Sequence, residues 1–126
     1  MNESKFYRCE RCGNIIGKIH DSGVSVVCCG EKMKKLEPGV VEASREKHIP
    51  VVTVSENEVK AVVGSVIHPM VEEHSIEWVY LETDKGGQRK TLKPGDAPEV
   101  VFALADEKPI AVYAYCNLHG LWKCDI

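Results

Sequence analysis

Three features of the sequence predict an all-β chain built in two parts. From residue 49 onward, short runs rich in β-branched residues alternate with turn signals. No stretch shows convincing helical periodicity. The cysteines are bunched: Cys9, Cys12, Cys28 and Cys29 precede residue 30, and the next is Cys116.

Residues 1–36 carry few large apolar side chains and cannot build a core unaided. A segment of this kind needs a staple, and a tetrahedral metal is the usual one. Cys9-Glu10-Arg11-Cys12 is a C-x-x-C pair, and Gly13 after it lets the chain turn tightly around a metal. Cys28 and Cys29 are adjacent and are followed by Gly30. Four thiolates close a tetrahedral site, and soft sulfur selects zinc or iron without separating the two. Neighbours only about 3.8 Å apart at Cα must splay their sulfurs, which distorts the tetrahedron. A purely structural site gains nothing obvious from the distortion, whereas a redox site can use it to tune potential.

Glu37-Pro38-Gly39 breaks the chain, and residues 42–47 form a polar connector. In the second part, residues 37–126, strands are expected at 49–54, 59–63, 76–83, 88–92, 100–105 and 110–115. The turns between them include Ser55-Glu56-Asn57-Glu58, Asp84-Lys85-Gly86-Gly87 and Asp106-Glu107-Lys108-Pro109, and 93–98 is a loop. Strands this short at turn-separated spacing indicate an antiparallel β-sandwich, with 110–115 its last strand.

Four of the five histidines sit in loops or at strand ends of this second part. His48 precedes the first strand, His68 and His74 frame a loop, and Cys116-Asn117-Leu118-His119 has the C-x-x-H spacing of a chelate. Any one histidine is more often a surface or core residue than a ligand, but a set carried on the loops of a rigid sandwich is where sites are built. Four imidazoles and a thiolate suit iron, are too many for tetrahedral zinc, and leave one position open for reaction. His20 lies outside both groups and reads as a surface residue.

Composition narrows the function. Hydrophobic residues at 44% and charged residues at 28% describe a folded globular chain. A formal net charge of -3, from 16 basic and 19 acidic residues, argues against nucleic acid as a main partner. No membrane span and no targeting segment are evident, so a cytoplasmic location is expected, where cysteines bind metal or do redox chemistry rather than form disulfides.

With both groups located, the sequence resembles the desulfoferrodoxins, the two-iron superoxide reductases. The residues that carry the likeness are Cys9-x-x-Cys12, Cys28-Cys29, Glu46-Lys47-His48-Ile49-Pro50, 64–70 with His68-Pro69-Met70, Glu73-His74, Leu92-Lys93-Pro94-Gly95 and Cys116-Asn117-Leu118-His119-Gly120. The resemblance implies a rubredoxin- or desulforedoxin-like domain over 1–36, its iron held by Cys9, Cys12, Cys28 and Cys29. It implies an immunoglobulin-like sandwich over 37–126, its iron held by His48, His68, His74 and His119 in a plane with Cys116 axial. Glu46 and Lys47 match the loop beside the open position. The implied reaction is one-electron reduction of superoxide to hydrogen peroxide, with rubredoxin or a similar small carrier as donor and a homodimer as the assembly. Two departures stand outside the ligand motifs: Leu121 where the family commonly has a histidine, and an additional Cys124, read as a stray thiol.

Overall fold

The structure, a computed structural model, describes residues 4–126. It divides into two compact units, one ending at Glu37 and the other running from Pro38 to Ile126.

The first unit is a set of very short strands. Strands β1 (Lys5–Arg8) and β2 (Ile15–Lys18) form an antiparallel hairpin. Strands β3 (Val27–Cys28) and β4 (Glu31–Lys32) form a second one, and β5 (Lys34–Lys35) returns to pair with β1. The buried apolar side chains among the described residues here are Phe6, Cys9 and Met33. The loop after β2 is tied by Asp21, whose carboxylate accepts from Lys5 Nζ and Lys18 Nζ at 3.0 Å each and from the Gly23 amide at 2.9 Å.

The second unit opens with a single helical turn, α1 (Arg45–His48), which leads directly into β6 (Pro50–Val54). β6 pairs with β7 (Glu58–Val63) from Val54↔Val59 to Pro50↔Val63. The chain then crosses to β8 (Ile76–Thr83) and turns into β9 (Gly86–Thr91). β10 (Glu99–Ala103) returns to the free edge of β7, and β11 (Pro109–Cys116) and β12 (Gly120–Asp125) complete the other sheet. The sheet orders are β10-β7-β6 and β12-β11-β8-β9, every pairing antiparallel.

Alternation along each strand sends one face inward. Val59, Ala61, Val63, Val100 and Phe102 come from the three-stranded sheet. Ile76, Val79, Leu81, Val112, Ala114 and Cys116 come from the four-stranded sheet, and the two sets form one buried cluster. This is the sandwich expected from the sequence.

Three local differences from expectation have physical reasons. The run 110–115 is not the last strand: β12 pairs with β11 in full register, Ala114 opposite Trp122 and Cys116 opposite Gly120. Gly-Leu-Trp-Lys-Cys-Asp has no β-branched residue, so its strand character rests on burying Leu121 and Trp122. The connector 42–47 contains most of α1, one turn being too short to show a period. Gly86 and Gly87 belong to β9 rather than to the turn, because they pair with Thr83 and Glu82 of β8; position 87 must be glycine, since a Cβ there would collide with the Tyr80 phenol.

Candidate metal centres

The first centre is built from turn geometry. The sulfurs of Cys9, Cys12, Cys28 and Cys29 all lie within 4.8 Å of one another. Sulfurs on a tetrahedral metal about 2.3 Å away sit about 3.8 Å apart, and the Cys12 and Cys28 sulfurs are separated by 3.6 Å. Adjacent cysteines can converge because Cys29 takes a left-handed φ of 53° and Gly30 follows at 75°, curling the chain back. The Cys12 amide points at Cys9 Sγ (3.5 Å), and Asn14 Nδ2 at Cys28 Sγ (3.7 Å). Amide donors, that of Cys12 foremost, draw the Cys9 thiol down to about 6. Crowding against Cys12, Cys9 and Cys28 pushes Cys29 up to about 12. Four thiols this close can all ionise only around a cation, so the donor set fits a metal.

The second centre lies at one end of the sandwich. Ring centroids are 4.7 Å apart for His48–His68, 4.7 Å for His68–His74, 5.1 Å for His74–His119 and 4.9 Å for His119–His48. The diagonal His48–His74 is longer, 6.3 Å. Four similar sides and a longer diagonal describe a square of imidazoles. His48 Nε2 lies 3.1 Å from both His68 Nε2 and His119 Nδ1. Two nitrogens at right angles on a metal about 2.1 Å away lie about 3.0 Å apart, so these are neighbouring corners. The donor atoms of His48, His68, His74 and Cys116 fall within 4.8 Å of one another, and Cys116 Sγ is 3.8 Å from His119 Nδ1.

Each corner is held in its own way. His48 Nδ1 bonds the Ser44 carbonyl and His68 Nδ1 the Pro69 carbonyl, both at 2.6 Å, which turns each Nε2 inward as an acceptor. His74 is fixed through its loop: it pairs with Val71, and Asn117 accepts from the Ser75 amide (3.0 Å) while donating to the Glu73 carbonyl (3.0 Å). Trp122 stacks on the His48 ring at 5.0 Å, and its indole N–H donates to the His119 carbonyl at 3.0 Å. Cys116 is the final residue of β11, where a register shift in the pairing with β8 sets it opposite Ile76. A bulge beside a site re-aims the side chain it carries.

The environment favours a cation. His74 Nε2 is buried with no hydrogen-bond partner among the described residues, and the His74 donor atom lies within 4.8 Å of those of His48, His68 and Cys116. Burial, above all, holds His48 and His74 below the ordinary imidazole range and His68 at about 4. The Lys47 charge also lowers His48 and His74, which places that ammonium's field at the square. Burial pushes the Cys116 thiol up, while the Leu118 and His119 amides pull it down. Neutral imidazoles facing one another with their lone pairs fit a metal ion.

Every cysteine and histidine singled out in the sequence therefore falls into one of the two centres, apart from His20 and Cys124. Glu46 and Lys47 sit exposed on α1 beside His48. Sequence reasoning missed Trp122 and the clamp role of Asn117. Their only signals were an indole three residues beyond His119 and an amide inside the C-x-x-H unit.

Comparison with known proteins agrees with this geometry. The sequence profile of the desulfoferrodoxin N-terminal domain matches residues 1–36, and that of desulfoferrodoxin matches residues 40–125. The desulfoferrodoxin of Nitratidesulfovibrio vulgaris is 47% identical over 124 residues, covering 98% of each chain. The crystal structure of the superoxide reductase from Treponema pallidum superposes with a TM-score of 0.81 at 43% identity, again over 98% of each chain. A superoxide reductase (1Fe-SOR) from Giardia intestinalis matches 65% of this chain and 98% of its own, with a TM-score of 0.55 at 31% identity. A chain with a four-cysteine centre, a square of histidines backed by a cysteine, and this likeness along almost its whole length belongs to the desulfoferrodoxin family.

Proposed function

We propose that the chain is a superoxide reductase, reducing superoxide by one electron to hydrogen peroxide at an iron held by His48, His68, His74, His119 and Cys116. The observation that carries this reading is the square of imidazoles with Cys116 beside it, five donors that leave one coordination position open. Ferrous iron, held by these five residues, would supply the electron and a Lewis-acidic centre for a small anion.

The chain's own residues shape the rest. Cys116 would offer electron-rich sulfur to the metal, which favours electron donation. Lys47, exposed beside His48, attracts superoxide and orients it by charge. Glu46, exposed on the same turn, would offer a carboxylate as a further oxygen ligand to oxidised iron. Two protons are needed per peroxide, and Lys47 and solvent would deliver them.

The Cys9, Cys12, Cys28 and Cys29 centre holds the second iron, in a desulforedoxin-like domain over 1–36, and 37–126 forms the reductase domain. Each turnover consumes an electron, so a small donor protein of the rubredoxin kind is required. A homodimer in the cytoplasm completes the reading. It is supported by the family likeness, and among the described residues no helix is long and apolar enough to cross a membrane.

The test is anaerobic reaction of the reduced, iron-loaded protein with superoxide, measuring peroxide and oxygen together. A reductase yields one peroxide per superoxide and no oxygen; release of oxygen with half that peroxide would identify a dismutase instead. Lys47→Ile should slow capture and flatten its dependence on ionic strength, and an unchanged salt slope would remove Lys47 from the steering role.

A further inference from the structure

We infer that Gly64, Ser65 and Val66 are positioning residues for Glu46 and Lys47, gripping the turn that carries them through the Glu46 carbonyl. The inference rests on the roles proposed above for those two side chains. β6 and β7 end side by side at Pro50↔Val63, so α1 enters this end of the hairpin as residues 64–68 leave it. The Val66 amide donates to the Glu46 carbonyl at 2.9 Å, and Ser65 Oγ donates to the same oxygen at 3.3 Å. A Cβ at Gly64 would lie 2.5 Å from that oxygen, 3.0 Å from the Ile49 carbonyl oxygen and 3.0 Å from the Lys47 carbonyl carbon. Nothing larger than hydrogen fits between the two segments.

The placement matters because α1 is a single turn, and its Ser44 N-cap makes no side-chain capping bond. Such a turn has little stability of its own. Its exposed face carries Glu46 and Lys47, its buried end carries His48, and the gripping segment continues into His68. One carbonyl thus ties together the turns that bear two corners of the square. With Glu46 O held by two donors, the Glu46 and Lys47 side chains start from a fixed backbone beside His48. Holding reacting groups in place this way is worth far more to a rate than to stability.

Ser65→Ala, Ser65→Thr and Gly64→Ala tested in the iron-loaded full chain decide the matter. Ser65→Ala should keep two irons per chain and shift the ferric absorption in the same direction as Glu46→Ala. It should also flatten the salt slope of superoxide capture partway toward that of Lys47→Ile. The Val66 amide should exchange about fivefold faster, the worth of one ordinary neutral hydrogen bond. Ser65→Thr, which keeps the hydroxyl, should restore all three readouts, and Gly64→Ala should exceed Ser65→Ala in each if it retains its iron. Parental spectrum and salt slope in Ser65→Ala, alongside changes in Glu46→Ala and Lys47→Ile, would overturn the grip and leave the roles of Glu46 and Lys47 intact. No change in Glu46→Ala or Lys47→Ile would overturn those roles and the grip with them.

Discussion

The two units hold their metals by opposite strategies. In the first, the buried apolar side chains among the described residues are Phe6, Cys9 and Met33, and one of these is itself a donor. Its strands run from two to four residues. In the second, a continuous apolar core from both sheets stands behind the site, and the donor Cys116 belongs to it. The first unit buries little apolar surface and would depend on its metal to fold; the second has a core of its own and offers a metal site at one end. The comparison teaches that a ligand set means different things depending on what else holds the chain together.

The largest expected effect tests the dependent unit. Metal binding at thiolate sites that fold small domains is worth on the order of 10 kcal/mol. Cys9→Ser with Cys28→Ser should therefore abolish hydrogen-exchange protection throughout β1 to β5 while leaving that of β7, β8 and β11 intact. Retained protection in β1 would show that the short strands stand without the metal and would break the contrast. Next, Phe102→Ala removes a fully buried ring from the sandwich and should cost about 3–5 kcal/mol in denaturant unfolding of that unit. The absorption of the four-cysteine centre should be unaltered in the absence of denaturant.

A smaller effect sharpens the independence of the second site. His74→Ala deletes one corner of the square together with an unpartnered buried nitrogen. Iron should fall from two to one per chain, while metal-free stability of the sandwich changes by less than ~1.5 kcal/mol in either direction. A large loss would mean that the histidines help hold the sheets together. The smallest effect concerns Asp21. The Gly23 amide, then Lys18 and Lys5, hold its carboxyl well below the ordinary value of 3.8. A depressed carboxyl stabilises the fold above its unfolded pKa, and this contribution disappears as pH falls below about 4. Asp21→Asn should lower the first unit's resistance to unfolding slightly at neutral pH and remove the corresponding acid dependence. Equal acid dependence in both proteins would assign it to other groups.

Much of this was legible in the sequence, for reasons that can be named. The strands β6, β7, β8, β10 and β11 announce themselves through β-branched runs between turn residues. The donor residues were legible because cysteine and histidine carry their chemistry in their side chains, and C-x-x-C and C-x-x-H fix a chelate locally. Their order around the square was not, since His48 faces His74 only once β-register and the bulge opposite Cys116 are set. Trp122 was invisible for the same reason: its stacking on His48 depends on β12, a strand its own residues barely advertise. Asn117 joins loops more than forty positions apart, a contact only the folded chain creates.

The short bonds from His48 Nδ1 to Ser44 and from His68 Nδ1 to Pro69 have a consequence for protein design. Each acceptor lies within four residues of its histidine, so ring orientation is written into a short peptide rather than borrowed from distant structure. Residues 44–48 are in that sense portable together with 64–69, whose Ser65 and Val66 hold the Glu46 carbonyl, and the two segments could be grafted as a pair onto the hairpin end of another sandwich. The His74 and His119 corners are not, because their placement requires Asn117 and Trp122 to travel with them.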